Sequence, residues 1–146
     1  MKINDIFSAP TRTVKLLELE AADIAALNGA NGIVLLPAQG DDRIIKLYAC
    51  YLVLDAGTVA FAGGGTLELR RGTTVIDSDT ATDAIAGTTD AIYEFDVAEL
   101  NAQITDVNEN INLKAGAAVT GGTDGVIKVR IEYDVVHIVG QQPSVI

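Results

Sequence analysis

One cysteine, one histidine, no tryptophan and three prolines leave few of the residue types that carry chemistry in small proteins. The lone Cys50 excludes a disulfide within the chain and leaves the redox compartment open. With only His137, neither a two-histidine zinc site nor a Cys-His pair is easily built. Aromatic residues make up 5%, so the core must be built from the Val, Ile, Leu and Ala that dominate the 49% hydrophobic content. Cations are scarce too: ten Lys and Arg stand against twenty Asp and Glu, a formal charge of −10 with a pI near 4.3. Such a field repels phosphate backbones and anionic lipid headgroups, so no nucleic acid and no membrane surface is expected as a partner. The longest apolar run, Leu47 to Leu54, falls far below the roughly 20 residues that span a bilayer. The opening Met1-Lys2-Ile3-Asn4-Asp5 meets an acid where a signal peptide would carry its apolar run, so the expected product is cytosolic or leaves the cell by lysis.

What is present reads as short strands. A length of 146 residues fits one domain and can bury a core without disulfides. The pattern divides into an N-terminal arm over 1–10, a single β-sandwich domain over 11–140 and a C-terminal tail over 141–146. The organising stretch is Arg43 to Arg71. Arg43 to Leu54 is apolar at nearly every position except Lys46, which predicts a long strand covered on both faces. The sets Ile45-Leu47-Ala49-Tyr51-Val53 and Ile44-Tyr48-Cys50-Leu52-Leu54 would be its two faces. After a glycine-rich reversal from Asp55 to Gly65, the stretch Thr66 to Arg71 alternates, with Leu67 and Leu69 inward.

Other strands are expected over Thr11 to Leu19, Gly32 to Pro37, Thr73 to Ile76, Ala91 to Phe95, Ile111 to Leu113 and Val126 to Val139. Ala21, Ile24, Ala25 and Leu27 at helical spacing, stopped by Asn28-Gly29, predict a helix of about two turns. A second short helix is expected after Asp96, with Glu99 completing a capping box and Val97 and Leu100 inward. Asp77 to Asp90, rich in Ser, Thr, Ala, Gly and Asp, reads as a loop. One internal echo stands out. Ala56 to Arg70 and Ala115 to Arg130 both read Ala-Gly, a small apolar run, Gly-Gly, an alternating strand and Arg. Two such hairpins suit the paired halves of a jelly roll.

Nothing in the pattern announces catalysis. His137 shares parity with Val129, Ile131, Tyr133 and Val135, which predicts a packing role at a core or interface. Cys50 sits mid-strand among apolar neighbours, where thiols are inert. The acidic stretch Asp77 to Asp83 lacks the glycine and terminal glutamate of a calcium loop. Gly63-Gly64-Gly65 opens a strand and lacks the Lys-Ser/Thr of a phosphate cradle, so a wide turn with positive φ is expected there. No enzyme, cofactor or metal is expected.

Taken together, Val53 to Thr58, Ala60 to Arg70, Val119 to Gly122 and Ile127 to Tyr133 resemble the small virion proteins of tailed bacteriophages, as do Leu19 to Asn28 and Ile33 to Ala38. Within that group the chain is similar to capsid decoration, or cement, proteins. The resemblance implies a jelly-roll-like antiparallel sandwich with one or two short helices, sitting on the assembled head and bracing the major capsid protein, often as a homotrimer. It implies a place on the capsid surface of a virion made in the host bacterial cytoplasm. Tyr48, Cys50 and Leu52, on the second face of the long strand, are the expected trimer seam. Ile3, Ile6, Phe7, Val145 and Ile146, in the terminal segments, are the expected capsid contacts. The alternatives are a tail, fibre or baseplate adhesin for a host glycan or protein, and a host β-sandwich with one deep apolar pocket.

Overall fold

The computed structural model describes residues 12–97 and 107–137. Among them ten strands run in chain order: β1 (Thr13–Leu19), β2 (Ile33–Leu36), β3 (Arg43–Asp55), β4 (Phe61–Gly63), β5 (Thr66–Arg71), β6 (Thr74–Thr80), β7 (Ala91–Phe95), β8 (Ile111–Ala115), β9 (Val119–Gly121) and β10 (Val126–His137). Two short helices join them, α1 (Ala21–Ala25), continued by a 3₁₀ turn over Ala26–Asn28, and α2 (Ala81–Ile85). One four-stranded sheet has the order β1-β10-β3-β7, a second β2-β8-β5-β6, and β4 pairs with β9 alone. Every pairing is antiparallel. The inner faces of both four-stranded sheets feed one core, in which Leu27, Leu35, Leu52, Leu67, Leu113 and Val129 are fully enclosed. The chain is an all-β sandwich.

The long strand is covered differently from the expectation. The register of β3 against β10 slips at one point: Ala49 faces Glu132, Leu47 faces Tyr133, and Tyr48 is left without a partner. An extra residue in one strand inverts the side-chain parity beyond it. Ile45 and Leu47 therefore point into the core before the bulge, and Cys50, Leu52 and Leu54 after it. Both sets look apolar because each supplies the inner face for half the strand.

The β4–β9 pairing joins the two echoed segments. Phe61 faces Gly121 and Gly63 faces Val119, β3 lies beside β10, and β5 lies beside β8. Exchanging one echo for the other maps this set of pairings onto itself, so the repeat is a local two-fold clasp. Its two halves interlock. A Cβ on Gly122 would strike the ring of Phe61, and a Cβ on Gly64 would lie 3.2 Å from Val119 Cγ2. Both glycines have positive φ, +60° and +85°, where L-residues with a Cβ are strained. The segment read as a reversal thus contains a strand, because three residues of low apolar contrast give no period to detect.

Smaller differences follow the same logic. β6 runs to Thr80 and α2 occupies Ala81–Ile85 inside the stretch expected to be loop. Ala84 and Ile85 are buried there. α1 starts on a reciprocal cap in which Glu20 N donates to Asp23 Oδ2 at 3.1 Å, and Ile24 and Leu27 seal one end of the core. The helix expected from Glu99 and Leu100 lies outside the described residues.

Candidate functional site: the outer face of the β1-β10-β3-β7 sheet

The predicted seam residues separate. Cys50 and Leu52 are 0% exposed and lie in the core of the single chain, because the bulge turns them inward. With those two inside, the long strand does not call for a subunit over them. Burial alone pushes the Cys50 thiol up to about 12. Tyr48, by contrast, is half-buried. The Arg12 guanidinium carbon lies 4.0 Å from its ring centre and Lys46 Nζ 5.1 Å, a stacked cation–ring–cation arrangement. The other predicted contacts, Ile3, Ile6, Phe7, Val145 and Ile146, lie outside the described residues.

His137 differs from its expected packing role. It closes β10 opposite Arg43, and its side chain is half exposed. Its Nε2 meets Asp42 Oδ2 in the turn before β3. The hydrogen bond from His137 is the main reason the Asp42 carboxyl sits below the usual range. Asn108 ties the same turn down, donating Nδ2 to Asp41 Oδ1 at 2.8 Å and accepting from Gly40 N. At the opposite end of the sandwich Asp124 accepts from Thr58 Oγ1 at 2.6 Å and from Thr58 N at 2.9 Å, joining the β3–β4 and β9–β10 loops. These bonds hold its carboxyl below the usual range.

Other groups were not legible as inward-facing. Arg71 follows Leu67 and Leu69 on the inner parity of β5 and is a buried cation, 2% exposed. Only its position two residues beyond Leu69 signals this. Asn112 is buried on β8 and donates Nδ2 to the Gly72 carbonyl at 3.4 Å. Among the described residues no three His, Cys, Asp or Glu side chains converge as a metal site would need. A groove between α1 and the β9–β10 loop is lined by Glu20, Ala21, Ala22, Asp124 and Val126. It is open, polar and shallow, unlike an apolar ligand cleft.

What the geometry does assemble is a surface. On the outer side of the β1-β10-β3-β7 sheet the register sets Leu16, Arg130, Tyr51 and Glu94 in one row. Glu18, Lys128, Val53 and Ile92 form the next row, and Val14, Glu132 and Ala49 lie on the other side. Leu16 and Ile92 are each 73% exposed and Val14 46%. Large aliphatic side chains presented on a sheet this rigid are what a contact surface offers. Arg130 Nη1 lies 3.5 Å from Glu132 Oε2, and Lys128 Nζ 3.1 Å from Asp55 Oδ2. The class that fold and surface define is an all-β sandwich with an exposed, mixed apolar and charged sheet face. Comparison with known proteins found no matching family model, no matching curated protein and no matching solved structure.

Proposed function

We propose that this chain is a non-enzymatic structural protein of a tailed-phage virion, a decoration protein that binds the assembled head and stabilises the lattice of the major capsid protein. The sequence resemblance to small virion proteins motivates the reading. The observation that carries it furthest is the position of the chain ends. β1 and β10 are antiparallel neighbours, Thr13 facing Tyr133, and His137 closes β10 at that same end. The described ends of the chain, Arg12 and His137, therefore lie at one pole of the sandwich, and the expected contacts Ile3, Ile6, Phe7, Val145 and Ile146 belong to the sequence beyond them. A cement protein needs that division between a stiff spacer and an attachment pole, because it gains contacts only the assembled lattice offers and stabilises it by mass action.

The strand order supports the finer reading of the fold. Eight strands in two sheets, β1-β10-β3-β7 and β2-β8-β5-β6, with the first strand beside the last, are an arrangement that suits a jelly roll.

The test uses heads of the phage whose genome encodes this chain. The protein should co-sediment with expanded heads and raise their melting temperature. A variant lacking residues 1–10 should bind more weakly while its own melting is unchanged. Recovery with tails alone, or no co-sedimentation, would sink the proposal.

A further inference from the structure

The outer face described above differs electrostatically from the rest of the molecule. The chain carries −10 overall, yet four of its ten basic residues, Arg12, Lys46, Lys128 and Arg130, belong to this one face. Local charge there is close to balanced, so two copies can approach here without the repulsion that holds them apart elsewhere. The balance is also ordered. Down β10 the outward residues are Lys128, Arg130, Glu132 and Asp134, two cations followed by two anions on the sheet's second strand.

A stripe of that order is complementary to its own reverse. We propose that a second copy of this chain packs on this face about a two-fold axis, with β10 lying antiparallel over β10 of the other copy. The axis lies between the two faces, perpendicular to the strands, at the level of Ile131. Each strand then lies over its own counterpart, reversed. Arg130 stands over Glu132 of the second copy and Lys128 over Asp134. On β1, Leu16 covers Val14, and Glu18 reaches Arg12, one position before the Thr13 to Tyr133 pair. On β3, Tyr51 stands over the position of Ala49, which its own chain already leaves only 5% exposed. The most exposed aliphatic side chain of the edge strand is thereby buried against another aliphatic one. The parallel arrangement would place Lys128 over Lys128 and Asp134 over Asp134, so charge selects the orientation.

The dimensions suit it. Four strands about 4.8 Å apart, along a β10 whose residues rise about 3.3 Å each, give a face of up to roughly 700 Å² per copy, near the roughly 800 Å² per partner of a stable interface. Stacked sheets cross at about −30°, which keeps the central rows in contact and lets the outermost diverge. A like-charge apposition, Glu94 over Asp96, falls at the rim, where water and salt screen it. A pairing of this kind is isologous and closes at two copies. It stands independently of the capsid reading. If both hold, the antiparallel pair carries an attachment pole at each end, and one dimer spans two lattice positions.

Light scattering after size exclusion tests the pairing. At tens of micromolar the protein should elute at twice 15.3 kDa. Lys128→Glu with Arg130→Glu makes the stripe wholly acidic, and Glu132→Lys with Asp134→Lys makes it wholly basic. Each variant alone should elute at 15.3 kDa, and an equimolar mixture should recover the doubled mass. Leu16→Glu, at a site too exposed to threaten folding, should weaken association at least tenfold. Val34→Glu, on the other sheet, should leave the mass unchanged. A wild-type monomer or trimer, a charge variant that keeps the doubled mass, or a mixture of folded variants that stays monomeric would each overturn the pairing.

Discussion

The two halves of the β4–β9 clasp share a pattern but not a load. In one half Phe61 lies against Gly122, and in the other Val119 lies against Gly64. Phe61 and Val119 occupy equivalent places in the echoed segments, and both are nearly enclosed. The ring also bounds the space above Gly125, so the β4 half reaches deeper into the loop that Asp124 anchors. Val119 and Ala81 bound the space above Gly64. A repeat can thus be symmetric in hydrogen bonding and lopsided in packing, because backbone pairing is indifferent to side-chain size while apolar burial scales with it.

Mutations should expose that asymmetry. The largest effect is expected from Phe61→Ala, about 3 kcal/mol or more for an enclosed ring, measured by denaturant unfolding. Equal costs for Phe61→Ala and Val119→Ala would break the comparison. Gly122→Ala should cost about 2 to 3 kcal/mol, since it overpacks the ring and strains a left-handed residue. That cost should shrink by about 1 kcal/mol or more in a Phe61→Ala background, because the obstructing ring is gone. An additive double mutant would mean the glycine acts through its backbone alone. Val119→Ala should cost about 1.5 kcal/mol, two methyl groups' worth of burial.

The smallest effect concerns the Asp124 tie beside the Phe61 half. Its carboxyl is held low by the Thr58 hydroxyl and amide bonds, and a lowered folded value gives stability that is present above the unfolded value near 3.9 and lost as pH falls through the folded one. The protection of the β3–β4 loop amides relative to their intrinsic exchange rates should therefore fall in acid, and Asp124→Asn should flatten that dependence. An unchanged profile would assign the acid sensitivity elsewhere.

Much of the fold was legible because its strands obey period two. β1, β5, β7 and β10 fall within a few residues of their expected spans, and Ile92 and Glu94 oppose Tyr93 and Phe95 as the alternation requires. β4 was missed because Ala and Gly give no contrast, although the echo around it carried the signal that the two segments belong together. Cys50 and Leu52 were placed on the wrong side of β3 because parity was followed through Tyr48 without interruption. A bulge leaves no mark in composition; it shows only in the partner strand's register. The balanced outer face was hidden for a related reason. Its charges sit on four strands far apart in sequence, and only pairing brings Leu16, Arg130, Tyr51 and Glu94 into one row.

The bulge at Tyr48 also bears on how this sequence can change over generations. Within a regular strand the loss of one codon flips every later side chain to the opposite face. In β3 the flip is already built in, so the strand carries one residue whose removal restores simple alternation. Deleting Tyr48 would leave Ile45 and Leu47 on one side of the site and Cys50, Leu52 and Leu54 on the other all facing the core, in a ladder without a bulge. Deleting a residue away from the bulge, such as Leu52, would instead turn Leu54 outward. Lineages of this fold should therefore gain and lose a single residue in β3 at the bulge, while β10, which carries the charge stripe opposite, keeps its length.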